Sequence, residues 1–254
     1  MSHANISIFV PHLGCPHKCS FCDQCSITGT HDVPSAENVC QAVQNAKASV
    51  NYNAKNTEIA FFGGSFTCIE HEYMLSLLKA AYNFVKSGDV CGIRISTRPD
   101  GIDNEILSVL KEFGVTAIEL GAQSMCDDVL EINLRGHTAK DVILASNLIK
   151  ENGFELGLQM MTGLMGSDYE KDIATANEII KLKPKTVRIY PTIILEGTHL
   201  GELYKKGEYK TYWANTSSNS LIGKLIREGT KRVKIRFEAL MRGEPLICSI
   251  DEQI

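Results

Sequence analysis

Short apolar runs rich in β-branched and aromatic residues alternate with longer stretches in which apolar residues recur at helical spacing. The short runs, at residues 6–10, 57–62, 92–97, 115–120, 154–160 and 186–190, predict six strands. The longer stretches, at 35–50, 70–86, 103–113, 138–152 and 168–182, predict helices. Ser35, Asp103, Thr138 and Asp168 stand where a side-chain oxygen can cap the first free N–H groups. Gly88, Gly114 and Gly153 fall where a chain leaves a helix. Six such alternations imply a parallel sheet built by right-handed crossovers. Both an open doubly wound sheet and a barrel satisfy this pattern, and both place chemistry at the C-terminal strand ends.

Just past the first strand lies Cys15-Pro16-His17-Lys18-Cys19-Ser20-Phe21-Cys22. Three cysteines spaced C-x3-C-x2-C on one loop can set three thiolates around a single inorganic centre. Structural zinc and ordinary iron–sulfur clusters usually take four protein ligands. Three would leave one iron of a 4Fe–4S cluster open to a small molecule. A zinc loop is the rival, with Cys25, His12 or His17 as the fourth ligand. Six further cysteines, Cys25, Cys40, Cys68, Cys91, Cys126 and Cys248, show no paired spacing and read as small hydrophobes.

Composition narrows the class. A hydrophobic fraction of 44% in 254 residues suits one packed domain with a small appendage. No apolar run reaches the roughly 18 residues that cross a bilayer, and no signal-peptide pattern opens the chain. The expectation is a cytoplasmic protein without disulfides or a membrane partner. A net charge of −4 offers no general attraction to nucleic acid, yet residues 223–242 hold seven Lys/Arg against two Glu, with Lys205, Lys206 and Lys210 upstream. Such a run is an RNA contact or a solvated face.

The cysteine loop, with an aromatic residue before its last cysteine, resembles that of the radical S-adenosylmethionine (radical SAM) superfamily. Glu58-Ile59-Ala60-Phe61-Phe62-Gly63-Gly64-Ser65-Phe66-Thr67 resembles the family's glycine motif after the second strand. Ser96-Thr97-Arg98-Pro99-Asp100, Ile118-Glu119-Leu120-Gly121-Ala122-Gln123-Ser124, Asn133-Leu134-Arg135-Gly136-His137-Thr138, Ile189-Tyr190-Pro191-Thr192 and Gly197-Thr198 are similar to one branch of it. That branch holds the radical SAM domain of the elongator catalytic subunit, which modifies tRNA wobble uridines. Oxygen-independent coproporphyrinogen III oxidase is a more distant likeness. The resemblance runs in order from about Ile6 to about Tyr212 and does not extend to an acetyltransferase domain, for which the rest of the chain is too short.

The resemblance implies an α/β fold, a partial (β/α)6 TIM-like barrel over residues 1–212, with a short C-terminal extension at 213–254. In the extension, residues 215–220 read as a polar loop, 221–229 as a short helix and 233–237 as a strand. By resemblance Cys15, Cys19 and Cys22 ligate a 4Fe–4S cluster, which leaves Cys25 without an assigned role. Phe21 packs beside the adenine of S-adenosylmethionine, and Gly63, Gly64 and Ser65 form the edge that binds its methionine amino group. Many members carry an acid where Ser65 stands. Gln123 and Arg135, with Ser96 and Arg98, hold the methionine carboxylate or the ribose, Arg135 by its guanidinium fork. Gln159 and Tyr190 complete the cofactor contacts. Glu119, inside a strand, faces the lumen or pairs with a cation. Met165 stands where the branch usually has proline. The implied activity is reductive cleavage of S-adenosylmethionine to a 5′-deoxyadenosyl radical, which abstracts a hydrogen from a substrate that is tRNA or a small molecule. An external one-electron reductant is implied, and no catalytic side chain on the substrate side is assigned. The competing class is a cluster- or zinc-containing nucleic-acid-binding protein without turnover of its own.

Overall fold

The computed structural model describes residues 3–11, 15–16, 18–23 and 33–210, together with the backbone of residues 233–235 and 247–248. Strands β1 (Ala4–Val10), β2 (Thr57–Gly63), β3 (Gly92–Thr97), β4 (Val115–Gln123), β5 (Glu155–Thr162) and β6 (Thr186–Pro191) pair in sequence order, every pair parallel. Helices α1 (Ala36–Lys47), α2 (His71–Lys86), α3 (Asn104–Glu112), α4 (Asp127–Ile132), α5 (Ala139–Glu151) and α6 (Tyr169–Lys181) lie between them. The six strands form a curled half-barrel, the predicted architecture. After β6 come a two-residue strand β7 (Ile194–Leu195) and helix α7 (His199–Lys205). Strand β8 (Val233–Ile235) adds to β6 in parallel, and β9 (Ile247–Cys248) pairs with β7. The predicted strand at 233–237 therefore extends the main sheet as a seventh member. The polar stretch at 215–220 and the helix predicted at 221–229 lie outside the described residues.

The strand register explains which residues meet. Ile6 pairs with Ile59, Ile59 with Ile93, Ile95 with Ile118, Ile118 with Leu156, and Leu158 with Val187. Because side chains alternate along a strand, these residues share one face. That face is buried in the main core beneath the helices, with Leu77, Leu78, Leu107, Leu110, Val142 and Ile179 supplied by α2, α3, α5 and α6. The predicted caps are all present: Ser35, Asp103, Thr138 and Asp168 each accept from a first-turn N–H. Ser35 and Thr138 form reciprocal boxes with Asn38 and Asp141.

The opposite face lines the lumen and is polar. Asn5 pairs with Glu58, Ala60 with Arg94, Ser96 with Glu119, and Gln159 with Arg188. Glu119, almost fully buried, accepts from Arg94 at 3.4 Å, from Arg188 at 3.0 Å and from Gln159 at 3.2 Å. Arg94 also holds Glu58 through Nε at 3.0 Å and Nη2 at 2.9 Å, and Arg188 lies over the Phe62 ring. Glu119 thus both faces the lumen and pairs with cations. Gly157 is required beside it, because a Cβ there would sit 2.6 Å from Glu119 Cγ. Removing one member of a buried charge network leaves the others unpaired. Glu119→Ala is therefore expected to lower unfolding free energy by about 3–5 kcal/mol, read from the shift of the urea midpoint at unchanged slope.

Candidate active site

The cysteine loop leaves β1 at the C-terminal edge of the sheet. Cys19 is buried, while Cys15 and Cys22 are half-buried, and all three are free thiols. A turn brings Cys22 N–H to the Cys19 carbonyl at 3.2 Å. The intervening Ser20 is tied down on both sides. Its N–H donates to the Asn133 carbonyl at 3.1 Å and its hydroxyl to Asn133 Oδ1 at 2.8 Å, while its carbonyl accepts from Leu200 N–H of α7 at 2.8 Å. Burial pushes the Cys22 thiol up to about 12, with the neighbouring Cys19 and Cys15 adding to the rise and Arg135 opposing it. A cationic centre beside Cys22 would oppose that rise. Polar groups already approach two of the three sulfurs. Arg135 Nη1 donates to Cys19 Sγ at 3.0 Å, and Ser65 Oγ lies 3.8 Å from Cys15 Sγ. Among the described residues no three His, Cys, Asp or Glu side chains are gathered for a single metal ion. Cys25, His12 and His17, the fourth ligands considered for zinc, lie outside the described residues.

The remaining predicted residues sit at the ends of successive strands. Gly63 closes β2 with φ +114°, and a Cβ there would meet the Val10 carbonyl at 2.5 Å. Gly64 N–H donates to that same carbonyl at 2.8 Å, so β1 and β2 stay paired up to the rim. Ser65, buried, starts the short turn Phe66–Cys68. Ser96 is the penultimate residue of β3, on the lumen face opposite Glu119. Strand β4 runs three residues beyond its apolar run, because Ala122 bulges out of register and Gln123 takes φ +65°. The bulge re-aims Gln123. A Cβ on Gly121 would lie 3.0 Å from Gln123 Nε2 and 3.5 Å from Arg135 Nη2, so these three residues converge. Arg135 Nη2 also donates to the Gly121 carbonyl at 2.6 Å.

The family model for the radical SAM superfamily matches residues 9–179. The chain belongs to the radical SAM superfamily. It is 32% identical over 183 residues to a tRNA uridine(34) acetyltransferase of Methanocaldococcus jannaschii, covering 64% of this chain and 34% of that protein. Elongator complex protein 3 from Homo sapiens is 31% identical over 183 residues, covering 64% of this chain and 34% of that one. In structure, the archaeal Elp3 of Methanocaldococcus infernus superimposes with a TM-score of 0.68 at 23% identity, over 92% of this chain and 56% of that chain. Coproporphyrinogen III oxidase from Escherichia coli gives 0.60 at 16% identity, over 89% and 52%. The chain spans about a third of the length of the two curated relatives.

Radical SAM enzymes use a 4Fe–4S cluster and S-adenosylmethionine, and the residues present fit both. Five buried polar atoms around the rim have no hydrogen-bond partner: Ser96 Oγ, Arg98 Nη1, Gln123 Oε1, Arg135 Nε and His137 Nδ1. A buried unpaired polar group costs about 1–3 kcal/mol. Donors and acceptors left open together at one rim suit a ligand carrying both ammonium and carboxylate. Other predicted residues are engaged elsewhere. Arg98 forks onto Asp100 at 2.9 and 3.0 Å and donates to the Arg135 carbonyl at 2.5 Å. Phe21 packs against the satellite core of Ile194, Leu200 and Tyr209. Gln159 donates to Glu119, and Tyr190, half-buried, pairs with Met161 on the lumen face.

Sequence reasoning gives no role to Asn133, His137, Arg94 or Arg188. Asn133 and His137 flank Arg135 within one motif, and Arg94 stands as a lone charge between Ile93 and Ile95. Those are the signals that could have found them. His137 is buried with its Nε2 3.3 Å from the Ala122 carbonyl, and burial together with Arg135 and Arg98 pulls its pKa down to about 4. The unfolded chain takes up this proton near pH 6.5, while the folded chain does so only near 4. Stability is therefore full above pH 6.5 and falls as pH drops toward 4, by up to about 3 kcal/mol. Urea titrations at pH 7 and pH 5 should show this loss in the wild type, and His137→Gln should flatten it.

Proposed function

We propose that the chain is a radical SAM enzyme that holds a 4Fe–4S cluster on Cys15, Cys19 and Cys22 and binds S-adenosylmethionine across the strand ends. The observation that carries this reading is the superfamily match over residues 9–179, supported by Arg135 against Cys19, Ser65 near Cys15 and the open polar atoms of Ser96, Gln123 and Arg135. When bound, the two cofactors supply one-electron cleavage of a sulfonium and hydrogen abstraction from a substrate, with the electron coming from an external reductant. The protein's part is binding and orientation. Arg135 offers a guanidinium to a carboxylate, Gln123 and Ser96 offer hydrogen bonds, and Gly63, Gly64 and Ser65 form a narrow edge for the amino group. Tyr190 and Gln159 border the lumen side. Phe21 and Arg98 support this arrangement from behind. We take residues 1–212 as the radical SAM core and 213–254 as its extension. The free thiols fit a reducing compartment such as the cytoplasm.

For the substrate we favour tRNA, on the strength of the relatives' names. Of the basic run at 224–242 that would contact RNA, only the backbone of 233–235 is described, as β8, and Lys205 upstream of it is paired with Glu196 and Glu202. If phosphate contacts drive binding, tRNA affinity should fall steeply with salt. Replacing Lys231, Arg232 and Lys234 together should then flatten the slope by up to about three units. Salt-independent binding, or none at low salt, moves the substrate to a small molecule in the barrel.

Anaerobic reconstitution tests the cofactor assignment. The wild type should take up one 4Fe–4S cluster and release 5′-deoxyadenosine with a chemical reductant. Cys15→Ala, Cys19→Ala and Cys22→Ala should each lose the iron, and Cys25→Ala should keep it. Iron loss from Cys25→Ala equal to that from Cys19→Ala would show the ligand set to be wrong. Arg135→Ala should bind S-adenosylmethionine about ten- to a hundredfold more weakly, and Gln123→Ala less so, with cluster absorbance intact. Unchanged affinity by calorimetry would remove both from the site.

A further inference from the structure

We propose that Asn133 is a positioning residue for the cysteine loop, acting through Ser20 to hold Cys19 against Arg135. The proposal rests on the cluster and S-adenosylmethionine reading above and adds a coupling between the two. Asn133 and Ser20 are both fully buried. The Asn133 amide is fully engaged. Its Nδ2 donates to the Val129 carbonyl and to the Met165 carbonyl, each at 2.8 Å, and its Oδ1 accepts from Ser20 Oγ at 2.8 Å. Its backbone carbonyl accepts from Ser20 N–H as well. One neutral side chain thus joins the loop after β4, the loop after β5 and the cysteine loop. Aspartate lacks the two donors, and an aliphatic residue lacks all three bonds.

The second half of the device is the end of α4. Asn133 is the C-cap, and Leu134 comes next in the left-handed conformation at φ +55°. Leu134 N–H bonds to the Glu131 carbonyl at 2.9 Å and Arg135 N–H to the Leu130 carbonyl at 3.0 Å. This is the Schellman pattern, with leucine where glycine usually stands. A left-handed leucine is strained and persists only where its surroundings over-determine it. Here its two neighbours are both locked: Asn133 onto Ser20, and Arg135 onto Cys19 Sγ and Gly121 O. The chain therefore closes a ring, Cys19 to Ser20 to Asn133 to Arg135 and back to Cys19. A displaced Ser20 would move a cluster ligand and a carboxylate-binding arginine relative to each other.

The test uses the full chain, reconstituted anaerobically, with Ser20→Ala, Asn133→Asp, Asn133→Ala and the Ser20→Ala/Asn133→Ala pair. Iron per chain, the electron paramagnetic resonance spectrum of the reduced protein with and without S-adenosylmethionine, and cofactor affinity are measured. Ser20→Ala and Asn133→Asp should retain iron, shift the spectrum and weaken S-adenosylmethionine binding about three- to tenfold. Ser20→Thr, which keeps the hydroxyl, should restore both. The double variant should be no worse than Asn133→Ala, because both changes remove one shared bond. Wild-type spectrum and affinity in Ser20→Ala would overturn the proposal, even if the Asn133 variants fail to fold. Additive losses in the cycle would overturn it too. A wild-type chain that takes up no cluster defeats the cofactor reading and this proposal together, whereas a loaded wild type with insensitive variants defeats this proposal alone.

Discussion

Parallel pairing from strand to strand constrains everything else in the molecule. Each strand sends alternate residues to two faces, and with β1 to β6 paired in order, apart from one register shift each in β3–β4 and β4–β5, one face becomes continuous apolar surface for the helices. The other face carries buried charged and polar side chains that must satisfy one another. The Glu119 carboxylate resolves this by drawing Arg94, Arg188 and Gln159 onto itself. Small residues opposite, such as Gly157, make room for the network. The middle of the half-barrel is thus held by paired charges.

Strand β4 and the helix after it bring Gln123 and Arg135 together. Its bulge at Ala122 turns Gln123 toward the rim, and α4 comes after it with Arg135 just beyond its end. Arg98, from the loop after β3, then takes the Arg135 carbonyl. Arg135 is therefore held at its backbone by one neighbour and at its guanidinium by Gly121 and Cys19. Preorganisation of this kind lets a binding group act without paying for its own ordering. Neutral His137 fits the same scheme, since burial and the nearby Arg135 and Arg98 guanidiniums disfavour a third cation.

Membership of the radical SAM superfamily rests on the match over residues 9–179, and enzymes of that superfamily use a 4Fe–4S cluster and S-adenosylmethionine. The curated relatives are longer proteins of which this chain matches a part, and the solved neighbours share its fold at low identity. The half-barrel is common to proteins with very different names, from the archaeal Elp3 to coproporphyrinogen III oxidase.

Much is legible in the sequence alone. The period-two runs, the caps at Ser35, Asp103, Thr138 and Asp168, and the cysteine spacing are local properties, set by backbone geometry and by what each side chain can bond within a few residues. They are enough to expect six parallel strands, their helices and a rim holding the three cysteines with Gly63, Ser96 and Gln123. The end of β4 escapes such a reading because a bulge interrupts the alternation that marks a strand, and helix α4 is too short to show a period. Arg98 and Phe21 can be picked out as site residues from the sequence, but their partners Asp100, the Arg135 carbonyl and the satellite core come from folding. The clamp between Ser20 and Asn133 joins positions 113 apart in the chain. No local pattern encodes such a bond, because it exists only once two loops from different strand ends are brought to one edge of the sheet.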